Sequence, residues 1–258
     1  MRKYIISFLA LFIFLKIAQG QYLDKKSKNQ IEIGFGHQSS YLKDKNFSPL
    51  NQKGGGLATR IKYQRISKNI FGANLQISSG NIYSGPSNGF TTSFINVNLG
   101  LEYLFRLSPQ EQSFQFFIGP VYNSRVLYLD WYDQDAFSYV ASHGVGLKGL
   151  ISKRINDKHM IRASLSIPVF QSLARPPYNG IDEFIIENQD KPADIIFSGT
   201  PTSFNDFIAF EFCVDYTYKL TKRIDWHTNY TLYTQQVMES NRFKSLSNTI
   251  TTGVAIKF

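Results

Sequence analysis

Residues 95–105 read INVNLGLEYLF. Ile95, Val97, Leu99, Leu101, Tyr103 and Phe105 share one parity; Asn96, Asn98, Gly100 and Glu102 share the other. Successive side chains of an extended strand point to opposite faces, so this stretch has one apolar face and one polar face. Helical spacing would scatter the same residues around an axis. The pattern recurs at 207–220, where Ile208, Phe210, Phe212, Val214, Tyr216 and Tyr218 oppose Ala209, Glu211, Cys213 and Asp215. It recurs again at 161–167, with Ile161, Ala163, Leu165 and Ile167 against Arg162, Ser164 and Ser166.

Ten such segments are expected: 29–42, 55–67, 69–79, 91–107, 113–128, 137–154, 159–172, 205–221, 224–237 and 243–258. Their connections alternate in length. SKN, SPQEQ, NDK and TKR are turn-like, and the intervening connections are longer, above all the stretch between Ser172 and Phe204. A soluble β-sandwich also alternates, but its loops do not sort by parity. An up-and-down antiparallel transmembrane β-barrel has short turns at one end and long loops at the other, with apolar side chains toward lipid and polar ones toward the lumen. The expected fold class is therefore all-β, a barrel of about ten strands. An even strand count puts both chain ends on the short-turn side. Tyr41, Tyr63, Phe71, Tyr103, Tyr139, Tyr218, Trp226 and Phe258 sit at segment ends, where two interfacial girdles need aromatics.

The N-terminal stretch suits export. Arg2 and Lys3 precede the apolar run Tyr4–Leu15, and Ala18-Gln19-Gly20 supplies small residues for cleavage. Lys16 cuts the run short of the roughly 20 residues of a membrane-spanning helix. The expected organisation is a signal peptide at 1–20, a short periplasmic tail at 21–28 and the barrel at 29–258. Cys213 is the sole cysteine of the 258 residues, so no internal disulfide can form. The formal charge of +9 loses Arg2, Lys3 and Lys16 with the signal. The remaining basic residues are scattered, which does not suit a nucleic-acid partner.

The end of the chain, Thr251–Phe258 (TTGVAIKF), repeats the alternation. Val254, Ile256 and Phe258 are expected to face lipid, with Gly253, Ala255 and Lys257 toward the lumen. This strand must pair with the first, around Ile31 to Phe35, because an open edge cannot be tolerated in lipid.

With these features together, the chain resembles the outer-membrane β-barrel proteins of Gram-negative bacteria. Its Tyr and Phe richness and the Gln after the cleavage site look like those of the Bacteroidota. The resemblance implies that Val254, Ile256 and Phe258 form the signal read by the barrel-assembly machinery. It also implies outer-membrane lipid as the surroundings.

The same parity assigns a lumen set: Glu32, Arg60, Lys62, Glu102, Lys148, Arg162, Glu211 and Asp215. Buried charges need partners, so an interior ion-pair network is expected. A barrel this narrow can be filled by side chains, whereas open aqueous channels belong to barrels of about sixteen strands. A polar plug is the expected state, and a narrow channel for small solutes is the alternative. Pro120 and Pro168 fall inside segments and are expected to mark bulges near the outer rim. His37 and His143 fall on the lipid side, placed there at the headgroup level or turned inward by a bulge.

Catalytic signals are sparse. His37, His143, His159 and His227 show no metal-ligand spacing, and there is no G-x-S-x-G elbow. No cofactor is implied. Omptin-like proteases carry aspartates and an Asp-x-His element at the extracellular rim. Here Asp130, Asp133 and Asp135 share an outer loop, but Asp225-Trp226-His227 begins at a short turn. Lipid A deacylases carry a His-x-Ser, matched only by His37-Gln38-Ser39. A hydrolase at the rim is thus the third reading. A non-enzymatic barrel, structural or binding an extracellular or envelope protein partner, is the first. Trp131, Tyr132, Asp133 and Tyr178 are the candidate loop contacts.

Overall fold

The computed structural model describes residues 28–46, 48–85, 89–109, 114–131, 136–176, 187–188, 190–238 and 243–258. The expected signal peptide, Tyr132, Asp133 and Tyr178 lie outside these residues. Seven strands follow in chain order: β1 (Lys28–Asp44), β2 (Gln52–Ile66), β3 (Ile70–Ser84), β4 (Phe90–Arg106), β5 (Phe114–Trp131), β6 (Ala136–Arg154) and β7 (His159–Ala174). A short helix α1 (Pro192–Phe197) and a three-residue strand β8 (Thr200–Thr202) come next, then β9 (Phe207–Lys219), β10 (Ile224–Val237) and β11 (Phe243–Lys257).

Each long strand pairs antiparallel with its neighbours, and β11 pairs back onto β1. Ten strands thus form a closed barrel, with β8 as an addition beside β7. The closing register sets Ile33 opposite Val254 and Gln30 opposite Lys257. Asn29 and Phe258 exchange backbone hydrogen bonds of 3.1 and 2.9 Å, which fastens the two ends at the short-turn side. Gly253 permits this closure, because a Cβ there would lie 1.9 Å from the Ile33 carbonyl oxygen.

The outward face carries an apolar belt. Ile33, Ile61, Ile95, Leu99, Leu147, Ile151, Leu165, Ile208, Val254 and Ile256 are all exposed on it. An aromatic ring borders the belt at the short-turn end. Tyr63 meets Phe71, Tyr103 meets Phe105, and Tyr216 meets Trp226, with ring centroids 6.2, 5.0 and 6.1 Å apart. Apolar surface facing outward around a closed ladder is stable only against lipid, where no backbone group can be left unpaired.

Two expectations need correction. The outer connections are mostly short, at 45–51, 85–89, 132–135 and 238–242, because the strands run on beyond the belt. There the outward positions turn polar, as at Ser39, Asn81 and Ser93, so hydropathy stops alternating while the ladder continues. The connection between β7 and β9 stays long. Pro168 does mark a bulge: the register of β6 and β7 shifts between Val145 and Gly146, and Val169 and Phe170 both end up exposed. Pro120 does not. It lies in the short-turn half of β5, opposite Leu147, and the β4 register is the same on either side of it. The β4 ladder merely omits the pairs beside the proline, which has no N–H to donate.

Helix α1 was not legible as an amphipathic pattern, being six residues long. Pro192 in its first turn and Asp194 beside it are ordinary helix-start residues.

Candidate functional site

The lumen has three layers. At the long-loop end Leu42, Ile82, Phe94, Leu129, Val140, Leu173, Phe207, Ala209, Tyr233, Val237 and Phe243 form one apolar cluster. Every barrel strand except β2 contributes to it. Strand β2 adds Gln52, whose Nε2 donates to Thr92 Oγ1 at 2.8 Å. At the short-turn end Ile70, Leu104, Phe117 and Leu150 form a second cluster, with Ile66 against it.

Between the two lies the charged layer. All eight residues assigned to the lumen point inward. Arg60 on β2 reaches Glu32 on β1 at 3.6 Å and Asp215 on β9 at 3.2 Å. Lys62 approaches Asp215 at 4.0 Å. Asn229 donates to Asp215 at 2.8 Å, and Arg60 Nε donates to Asn74 at 3.0 Å. Lys148 pairs with Glu102 at 2.7 Å. Gln64 bridges this pair to the rest: it donates to Glu102 at 3.3 Å and accepts from Arg162 at 3.1 Å and Gln30 at 3.0 Å.

Glu211 has a partner that sequence reasoning left out. Arg125 on β5 pairs with it at 3.0 Å and lays its guanidinium 3.3 Å over the Tyr233 ring. The bulge expected at Pro120 hid this arginine, although its parity with Phe117 and Val121 was the available signal. Two further pairs close the ends. Asp44 pairs with Arg175 and accepts from Ser138 at 3.0 Å, and Asp225 pairs with Lys257.

The packing leaves little free space. Two cavities among the described residues are about 30 Å³ each, one against the upper apolar layer and one among Arg60, Glu102, Lys148 and Asp215. Each has room for about two water molecules. Arg162 is held by Gln64 and makes no ion pair among the described residues. The other charges of the layer are paired, and with an apolar cluster toward each mouth they make a plug, since an ion crossing it must displace buried pairs.

The wall has a second feature. Helix α1 lies on the outside of the barrel, over β6 and β7. Ile195 and Ile196 cover Tyr139, Ala141 and Ala174. His143 is outward-facing yet buried beneath this cover. One ring nitrogen lies 2.8 Å from Ser124 Oγ and the other 3.1 Å from the Ile196 carbonyl. Phe197 stacks on the imidazole with centroids 4.3 Å apart. His37 is also outward and remains exposed, between Leu57 and Ile250 on the adjacent strands.

The remaining candidates are dispersed. His227 lies buried at the short-turn end, 3.7 Å from Glu32 and 3.1 Å from Thr217. Asp225 is at the same end, and Asp130 is at the opposite one. Trp131 is half-buried, packs on the upper apolar layer and donates to Thr92. Val254, Ile256 and Phe258 are exposed on the outside. No cluster of acidic, His and Cys side chains suited to a metal ion occurs among the described residues.

No protein-family model matches the sequence, and no curated protein matches it. Solved structures do. The outer membrane protease OmpT of Escherichia coli superposes with a TM-score of 0.63 at 9% identity, over 92% of this chain and 99% of that one. The fold is that of an outer-membrane β-barrel. Other such barrels match more loosely. The translocator domain of the autotransporter NalP from Neisseria meningitidis gives a TM-score of 0.40 at 10% identity, over 100% of this chain and 98% of that one. Neisserial surface protein A gives 0.39 at 13%, over 88% and 97%. With its outward apolar belt, the barrel is an outer-membrane protein. In barrels of this kind the short turns are periplasmic and the longer loops extracellular.

Proposed function

We propose that this outer-membrane barrel is non-conducting and non-enzymatic, and that it works from its extracellular surface as a structural or partner-binding element. The observation that carries the reading is the filled lumen, an ion-paired layer with apolar clusters toward both mouths. Such an interior stabilises the barrel and leaves the outer surface as the working part. The partner would be an extracellular or envelope protein, met by the loops that contain Tyr132, Asp133 and Tyr178; Trp131, expected among these contacts, instead ends β5 and packs on the upper apolar layer. The match to a protease carries over the fold alone. In this chain the Asp225–His227 element lies at the periplasmic end, away from those loops. The outward row Val254, Ile256 and Phe258 would be what the assembly machinery reads, and the Tyr and Phe content supports a Bacteroidota-like origin. Liposome swelling with small sugars tests the filled lumen: vesicles holding the purified barrel should swell no faster than empty ones. Fast swelling would favour the narrow-channel reading.

A further inference from the structure

The outward face at the extracellular end of β1, β2 and β11 gathers three lysines. The register sets Lys43 directly opposite Lys244 and sets Lys53 opposite Tyr41 and Tyr83. Lys53 and Lys244 are exposed and Lys43 is half-exposed. The Lys53 ammonium lies 5.9 Å from the Tyr41 ring centre. Among the described residues, no acidic side chain forms an ion pair with any of the three. From Tyr41 upward, the outward positions of β1, β2, β3, β10 and β11 hold no acid at all. Like charges directly opposite on adjacent strands destabilise a sheet unless a counter-charge joins them.

The depth of this patch says where the counter-charge comes from. Tyr63 marks the periplasmic edge of the belt, ten positions along β2 from Lys53. At about 3.3 Å per residue and a tilt of about 40°, Lys53 stands roughly 25 Å above it, the height of the apolar band. Tyr41 and Tyr83 flank it as interfacial aromatics do. The ammonium groups therefore lie in the outer headgroup layer, with exposed Leu246 directly below Lys244, and exposed Leu57 and Ile250 deeper, beyond Gly55 and Asn248.

We propose that Lys43, Lys53 and Lys244 form a binding site for the phosphate groups of an anionic lipid of the outer leaflet, its acyl chains lying on Leu57, Leu246 and Ile250. The site is independent of whether the lumen conducts. The register puts the three lysines on adjacent strands of one outward patch, and the apolar surface below accepts the lipid's chains. A soluble anion would use only the upper half of this surface.

The test uses the full folded barrel in detergent, with retention of added lipid read by native mass spectrometry. The probes are diphosphorylated lipid A and the same glycolipid with its phosphates removed. Wild-type protein should retain the first and release the second; equal retention overturns the proposal without any variant. Replacing all three lysines (K43Q, K53Q, K244Q) should weaken retention on the order of a hundredfold, at a few-fold per lysine near an anionic surface. The K43R, K53R, K244R protein should bind like wild type. Unchanged binding by the glutamine variant, checked as folded by gel mobility, contradicts the site. So does full displacement of the lipid by millimolar inorganic phosphate, which would make this a site for soluble anions.

Discussion

Arg60 on β2 and Asp215 on β9 meet across the lumen at 3.2 Å, joining opposite sides of the barrel wall. Both side chains are almost fully buried. Asp215 also receives Asn229, and Arg60 also reaches Glu32 and Asn74. The pair is the centre of the plug rather than a surface contact.

Removing one partner should therefore cost more than removing both. Asp215→Ala leaves buried Lys62 without its carboxylate and Arg60 with Glu32 alone, at about 3–5 kcal/mol. Replacing both, R60L with D215L, should recover a large part of that. A double-mutant cycle from urea unfolding in lipid vesicles measures the coupling. Strict additivity of the two single changes would show that the pair does not act as a unit.

The apolar layers should act as independent seals. Phe243→Ala opens a cavity in the upper layer and should lower stability by about 3–5 kcal/mol. It should not by itself produce conductance, because the charged layer and Ile70, Leu104, Phe117 and Leu150 remain. Conductance recorded from this variant alone would show that the lower layers do not seal.

The outer-wall helix should depend in part on the stack of Phe197 on His143. Phe197→Ala removes the ring from His143 and should loosen α1 by roughly 0.5–1.5 kcal/mol. Whole cells displaying the variant should be cleaved faster by added protease between residues 187 and 199. His143→Leu, which also removes the bond to the Ile196 carbonyl, should have an equal or larger effect. Unchanged cleavage in both would mean that the helix is held elsewhere.

Two glycines should respond in opposite ways. A Cβ at Gly72 would lie 2.5 Å from Glu102 Oε1, so Gly72→Ala must push the carboxylate away from Lys148. Overpacking of this kind costs about 1–3 kcal/mol. At Gly149 a Cβ meets nothing within 4 Å, so Gly149→Ala should be near neutral. Unfolding midpoints of the two variants, measured side by side, check the contrast.

What could be read from the sequence followed from the two solvents of the barrel. Lipid outside and a polar lumen inside force strict alternation, so Ile95–Phe105 already carried strand, facing and depth. The eight lumen charges had the parity of their strands and needed nothing more. Arg125 was hidden by Pro120, whose effect on facing can be judged only from its ladder. Asp44 and Arg175 lie above the belt, where alternation no longer reports facing. Helix α1 is too short for a period to emerge, and its docking against His143 depends on a chain reversal that no local pattern encodes. The outward histidine was a sign that something covers that wall.

The most direct test of the filled lumen is single-channel recording of the purified, folded barrel in a planar bilayer. The layered interior predicts no steady unitary current over the voltages that intact bilayers withstand. Reproducible unitary steps from the wild-type protein would contradict it.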